Sequence, residues 1–340
     1  MRNKFTYINK ILFIITFIIT IISCKDNSTI NESDVSYESV FLYSPMDVDK
    51  ILWLEPLGWI NPVGHTFPTD HVYFIFNFNT PTHQQDPNYK LPIYAPASGK
   101  IDWYLMENGR NDDSKVMIKV NSTFSYYLDH IILDSAFVLG SIVTAGKKIG
   151  TTARSGSIDL GVINQNITLT GFVNPARYPG SIHCDSPYKY FQEPLKSKLY
   201  SLVKRNAPDK DGKIDYDIRG RLIGNWFHES VRIEDSMGPL AWPKEIAFAP
   251  DPNEPSIMIL SFGGYAGILG KYKPSITDPD PSQVSVSSGK VIYHVNYLEF
   301  GYAGLLAVQL IDDIRMKVEF FPNKTGDTAE FDNNALIYTR

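Results

Sequence analysis

Two histidines and an aspartate fall within the eight residues Gly64-His65-Thr66-Phe67-Pro68-Thr69-Asp70-His71. Imidazole nitrogen and carboxylate oxygen are the mixed ligands that zinc takes in hydrolytic sites. His65 in a loop and Asp70 opening a strand would meet at one ion. The same segment also suits a plain polar turn, with Asp70 accepting from backbone N–H groups. Its own residues leave both readings open.

Other reactive types are sparse. Beyond Cys24 the chain has one more cysteine, Cys184, which has no partner for an internal disulfide and reads as a buried structural thiol. Asp209-Lys210-Asp211-Gly212-Lys213-Ile214-Asp215 has the look of a calcium loop. Placing Gly212 sixth puts Ala207 first and Ile218 twelfth, where carboxylates are required, so the segment is a solvated turn. Ser261–Gly267 is glycine-rich but lacks the lysine and following helix of a phosphate loop, and is expected to be a turn.

The elements that would carry these residues are strands. Hydrophobic residues make up 43% of the chain, with 20 Tyr and 19 Phe, a β-leaning composition. Alternation predicts strands at His71–Phe76, Lys100–Tyr104, Val116–Val120 and Phe124–Leu128, and a loop over Asn77–Lys90. Leu195, Leu199 and Leu202 sit at helical spacing within Pro194–Lys204. Further strands are expected at Arg221–Ile223, Ser256–Ser261, Lys290–Asn296, Leu305–Ile311, Met316–Phe321 and Ala335–Thr339. So many strands in about 130 residues suit a small barrel or sandwich, and Gly224-Asn225-Trp226 has the form of the GxW opening of lipocalin-like barrels.

Three further segments follow the His/Asp pair in order. Leu91-Pro92-Ile93-Tyr94-Ala95-Pro96-Ala97-Ser98-Gly99-Lys100-Ile101 resembles the "PVYAPADGVV" hairpin of the lysostaphin-type murein endopeptidases. Tyr126-Tyr127-Leu128-Asp129-His130-Ile131 resembles that family's "YxH" strand, and Val138–Gly150 its "VxxGDxVxxGQxIG" segment. The resemblance covers residues 60 to 165. It implies a lysostaphin-type antiparallel β-sheet groove, similar to a barrel-sandwich hybrid, with the second β-rich region after it. It also implies zinc ligands at His65 and Asp70 and a catalytic helper at His130.

The chain departs from the family pattern in three places. Four residues separate His65 from Asp70 where the family has three, and two separate Tyr127 from His130 where the family has one. The late "HxH" motif is missing: the chain after Gly156 reads Ser157-Ile158-Asp159-Leu160-Gly161-Val162. That removes a ligand and an acid/base group together, and a catalytic zinc usually keeps three protein ligands and a water. Asp159 is the substitute ligand the chemistry permits, with His71 or His130 completing the set. The expectation is therefore no cofactor, with zinc as the alternative.

The first residues resemble the leader of a bacterial lipoprotein. Arg2, Lys4 and Lys10 precede the apolar run Ile11–Ile22, whose 12 residues are too few to span a bilayer. The run ends in Ile21-Ile22-Ser23-Cys24, a lipobox in which Cys24 would receive the lipid. The expected organisation is leader 1–23, flexible tether 24–40, peptidase-like domain 41–183, connector helix 184–206 and C-terminal β domain 207–340. The expected location is the cell envelope, held on a membrane through acylated Cys24 and leaning to the outer membrane. A net charge of −5 with no basic block makes nucleic acid a poor partner. The leading expectation is a groove that binds peptidoglycan, or regulates an envelope enzyme, without cutting. The alternatives are a zinc endopeptidase with an altered ligand set and an adhesin or small-ligand binder acting through residues 207–340.

Overall fold

The computed structural model describes residues 36–76, 90–106, 112–153, 156–299 and 301–340. The leader, Cys24, residues 24–35 of the tether and all but the last residue of the expected Asn77–Lys90 loop lie outside the described residues. Val35–Arg340 forms one compact unit. Among the described residues, no helix is long and apolar enough to cross a membrane.

The fold is mainly β. The first part is one antiparallel sheet of β1 (Trp53–Glu55), β2 (His71–Ile75), β3 (Pro92–Tyr94), β4 (Gly99–Met106), β5 (Ser114–Lys119), β6 (Phe124–Leu133), β7 (Ile142–Val143), β8 (Lys148–Thr152), β9 (Ser157–Asn164) and β10 (Cys184–Asp185). Its main path runs β1-β2-β9-β6-β5-β4-β7, with β10 beside β9 and β8 linking β6 to β3. Alternation decides which face is core. Val72 and Phe74 on β2, Ile158, Leu160 and Val162 on β9, and Tyr126 and Leu128 on β6 all point to one buried layer. The opposite face of the same three strands is therefore left with His71, Tyr73, Asp159, Gly161, Tyr127 and Asp129.

A six-residue helix, α1 (Leu195–Tyr200), leads out of this sheet. The second part is a closed barrel of β11 (Gly224–His228), β12 (Glu245–Pro250), β13 (Met258–Gly263), β14 (Leu269–Lys273), β15 (Lys290–Tyr297), β16 (Tyr302–Leu310), β17 (Arg315–Pro322) and β18 (Leu336–Thr339). Each strand pairs with the next, and β11 closes on β18. Closure leaves no unpaired edge. The interior is filled by Trp226, Phe248, Phe262, Tyr293, Tyr338 and aliphatic neighbours. The Arg340 guanidinium lies 3.8 Å from the Trp226 ring and donates to the carbonyls of Ile218, Leu222 and Ile223.

That arrangement corrects one expected strand. Arg221 and Leu222 form a bend and Ile223 is in no regular element, because the carbonyl oxygens of Leu222 and Ile223 are taken by Arg340 and by the Trp226 indole rather than by a neighbouring strand. Ladder pairing begins at Gly224. Strands β11, β12 and β14 lacked a recognisable alternation in the sequence. Gly264–Gly267 forms the expected turn, between β13 and β14.

The barrel packs its outer wall against the sheet. Phe227 on β11 belongs to the sheet's hydrophobic core. Its ring meets Phe67 edge-on at 4.9 Å and Tyr178 at 5.9 Å, and Arg177 sits 4.6 Å above it.

Candidate functional site

Strand register builds the site. Across β2-β9-β6, His71 pairs with Gly161 and Gly161 with Tyr127, while Tyr73 pairs with Asp159 and Asp159 with Asp129. These two rows form the polar face of the sheet. The extra residue between Tyr127 and His130 is absorbed by a β-bulge: the β5–β6 register shifts between Ser114 and Val116, and His130 takes φ 60°. A bulge places two residues against one and re-aims their side chains. The extra residue between His65 and Asp70 lies beyond a tight turn in which Asn61 and His65 exchange two backbone hydrogen bonds.

Asp70 and His71 are the centre of a dense network. The Tyr127 hydroxyl donates to Asp70 Oδ1 at 2.9 Å and lies 3.2 Å from His71 Nδ1, which is itself 3.1 Å from the same oxygen. Ser181 Oγ donates to Asp70 Oδ2 at 2.6 Å. On the other side of the ring, His71 Nε2 faces Tyr73 Oη at 2.9 Å and Asp159 Oδ2 at 3.3 Å. Burial acts to raise the Asp70 carboxyl, but the hydrogen bonds and charge of His71 and the Ser181 hydroxyl outweigh it and hold the carboxyl below its ordinary range. Burial also pushes the Tyr73 and Tyr127 phenols well above theirs, reinforced by Asp159 and Asp70 respectively.

His65 sits at the rim, with its ring 5.4 Å from that of His71. Burial, then the neighbouring His71 charge, lowers it to about 3, so it is neutral at ordinary pH. His130 is the opposite case. Burial would lower it, but Asp113, 3.2 Å from Nδ1, and the charges of Asp159 and Asp129 raise it to about 9. Its Nε2 is 3.8 Å from Asp159 Oδ2. Asp159 is raised by burial against the opposing pull of His71 and His130. Its Oδ1 is buried without a hydrogen-bond partner among the described residues.

The structure thus brings Asp70, His71, Asp159 and His130 along one row of contacts and leaves His65 against the ring of His71. Tyr127, Ser181, Asp113, Asp129 and Lys115 complete the network. Sequence reasoning assigned none of these five a role, because their contacts arise from cross-strand register and from a loop far along the chain. The one group of three ligand-type side chains whose atoms all lie within 4.8 Å, among the described residues, is Asp113, Asp129 and His130. Lys115 Nζ stands 3.5 Å from Asp129 beside it.

A zinc set of the kind the family resemblance implies does not fit this face. Both Asp70 oxygens already accept from protein hydroxyls, and both His71 nitrogens face protein partners. The position two residues beyond Asp159 on the same face is Gly161, and the space a side chain would need there is filled by Tyr127: a Cβ at 161 would fall 2.1 Å from Tyr127 Cζ.

No family model matches the sequence, and no curated protein does. Among solved structures, Csd3 of Helicobacter pylori aligns at 18% identity and a TM-score of 0.27, over 39% of this chain and 34% of that one. A zinc-containing peptidase from Vibrio cholerae aligns at 18% and 0.26, over 38% and 37%. Lysostaphin aligns at 14% and 0.23, over 80% of each chain. The chain spans about a third of the length of the first two.

Proposed function

We propose that this chain is a cell-envelope protein whose lysostaphin-like sheet binds peptidoglycan peptide, or an envelope enzyme that acts on it, without cleaving it. The observation that carries this reading is the seating of Tyr127 on Gly161. It supports a groove whose family-type ligand position has been turned into a hydrogen-bonded floor. The Asp70 carboxylate that would face a metal instead anchors Tyr127 and Ser181. The ordered family motifs support the peptidoglycan side of the reading, since the His/Asp segment and the YxH-like strand lie at β2 and β6, which flank β9 on one polar face. Lipid attachment at Cys24 and an outer-membrane location belong to the same proposal and rest on the leader alone.

The test is incubation of the chain lacking residues 1–24, which keeps all the described structure, with purified sacculi. Retention of protein on the sacculi with no release of soluble muropeptides is the expected result. Release of muropeptides, abolished in Asp70→Ala, would overturn it in favour of the hydrolase.

A further inference from the structure

Between the polar face of the sheet and the outer wall of the barrel lies a cavity of about 210 Å³. One side is formed by His65, Asp70, His71 and Lys115, already described. The other is formed by residues of the barrel body, among them Asn225, Glu245 and Trp242. Asn225 and Glu245 sit on adjacent strands, where Asn225 pairs with Ala247 and Phe227 with Glu245. Phe227 points outward into the sheet's core, so by alternation Asn225 and Glu245 also project from the barrel's outer face.

The Glu245 carboxyl and the amide oxygen of Asn225 are unsatisfied, although the Asn225 side chain also hydrogen-bonds the Tyr178 phenol. Glu245 is 4% exposed and has no hydrogen-bond or ion-pair partner among the described residues. Asn225 is 2% exposed, and its Oδ1 is buried with no partner. Lys115, the lysine lining the cavity, is held elsewhere, 3.5 Å from Asp129 and 4.0 Å over the Tyr127 ring. Buried polar groups are normally paired, and a buried carboxyl with no cation is among the costlier exceptions. Two acceptors without donors, facing one cavity, describe a site whose donors arrive with a ligand.

We infer that this cavity binds a primary ammonium group, such as the amine of a peptide terminus or amino side chain, with Glu245 as its counter-ion and Asn225 Oδ1 as a second acceptor. An ammonium supplies three N–H donors and a positive charge against which the Glu245 carboxyl can ionise. Trp242 and Met237 line the same cavity and offer apolar surface for the carbon stem beside it. Burial pushes the Glu245 carboxyl well above its ordinary range, so an arriving ammonium also drives a proton off it. The proposal rests on reading the groove as a peptide-binding site, and it adds the chemical group that the barrel wall selects.

The probe is n-butylammonium chloride, titrated calorimetrically into the chain lacking residues 1–24 at neutral pH in two buffers of different ionisation enthalpy, with n-butanol as the uncharged match. The expected result is saturable binding of the amine, proton release that scales with buffer enthalpy, and no saturable binding of the alcohol. Glu245→Gln should weaken the amine by about tenfold or more while keeping or raising thermal stability. Asn225→Ala should weaken it to a lesser degree. Absence of saturable amine binding, equal binding of n-butanol, or unchanged affinity in Glu245→Gln would overturn the inference. Sacculus retention separates the two proposals. Retention without amine binding ends this one alone, and amine binding without retention ends the peptidoglycan reading alone.

Discussion

Tyr127 lies directly across Gly161, so close that a Cβ at position 161 would sit 2.1 Å from its ring. The glycine is what lets the phenol cross β9 from β6 and donate to Asp70 on the β2 side. In the family that the motifs resemble, the same face carries a histidine ligand. Here a side chain from the neighbouring strand fills the place and takes the carboxylate as its acceptor.

Gly161→Ala should therefore unseat Tyr127 and lower stability by about 2 kcal/mol, the scale of an overpacked core position. Tyr127→Phe keeps the packing but removes the donor to Asp70, and should cost about 1 kcal/mol. Denaturant unfolding followed by tryptophan fluorescence measures both. The two changes should be less than additive when combined, because each removes the same contact.

The acid limb of stability should report His65. Its folded value of about 3 lies below its ordinary 6.5. The unfolded chain therefore binds the proton first, and the contribution is present above about 6.5 and lost as pH falls toward 3. His65→Asn removes the titration. Its unfolding free energy should fall less steeply than that of the unchanged protein between pH 6.5 and 4.

His130 acts in the other direction. Raised from 6.5 to about 9, it stabilises fully below 6.5 and loses that contribution as pH rises through 9. Asp113→Asn takes away the hydrogen-bond partner that does most to raise it, and should flatten the stability profile between pH 6.5 and 9. An NMR titration of the His130 ring should show its midpoint moving down toward 6.5 in the same variant.

Arg340 is the device that closes the base of the barrel. Arg340→Ala would strand the carbonyls of Ile218, Leu222 and Ile223 and uncover Trp226, at a cost of about 3 kcal/mol. Arg340→Lys retains charge but loses the planar fork that reaches three oxygens, and should recover only part of the loss. Thermal unfolding of the two variants beside the unchanged protein makes the comparison.

Much of the fold was legible because alternation is a local signal. Val116, Ile118 and Val120 mark a buried face without knowledge of their partners, whereas β9, with Ile158, Leu160 and Val162 buried, was not among the expected strands. The closed barrel was legible only as a class. β11 reads Gly-Asn-Trp-Phe-His, and all five residues are buried, since Trp226 fills the barrel while Phe227 fills the sheet core. A strand covered on both faces shows no alternation. The site was half legible. His65, Asp70, His71, His130 and Asp159 stand out by type, and the structure strings four of them along one face. What the residue types did not carry was register. Only pairing across β9 places Tyr127 against Asp70, and only the approach of the barrel wall turns Glu245, an ordinary acid between Lys244 and Ile246, into a buried group facing a cavity.

The most direct test of the binding reading is cosedimentation of the chain lacking residues 1–24 with purified sacculi, at a fixed protein concentration and increasing amounts of peptidoglycan. The protein should move into the pellet saturably while the mass of sacculi stays constant. Protein that remains in the supernatant at every load, or sacculi that dissolve as the protein is added, would contradict a groove that binds without cutting.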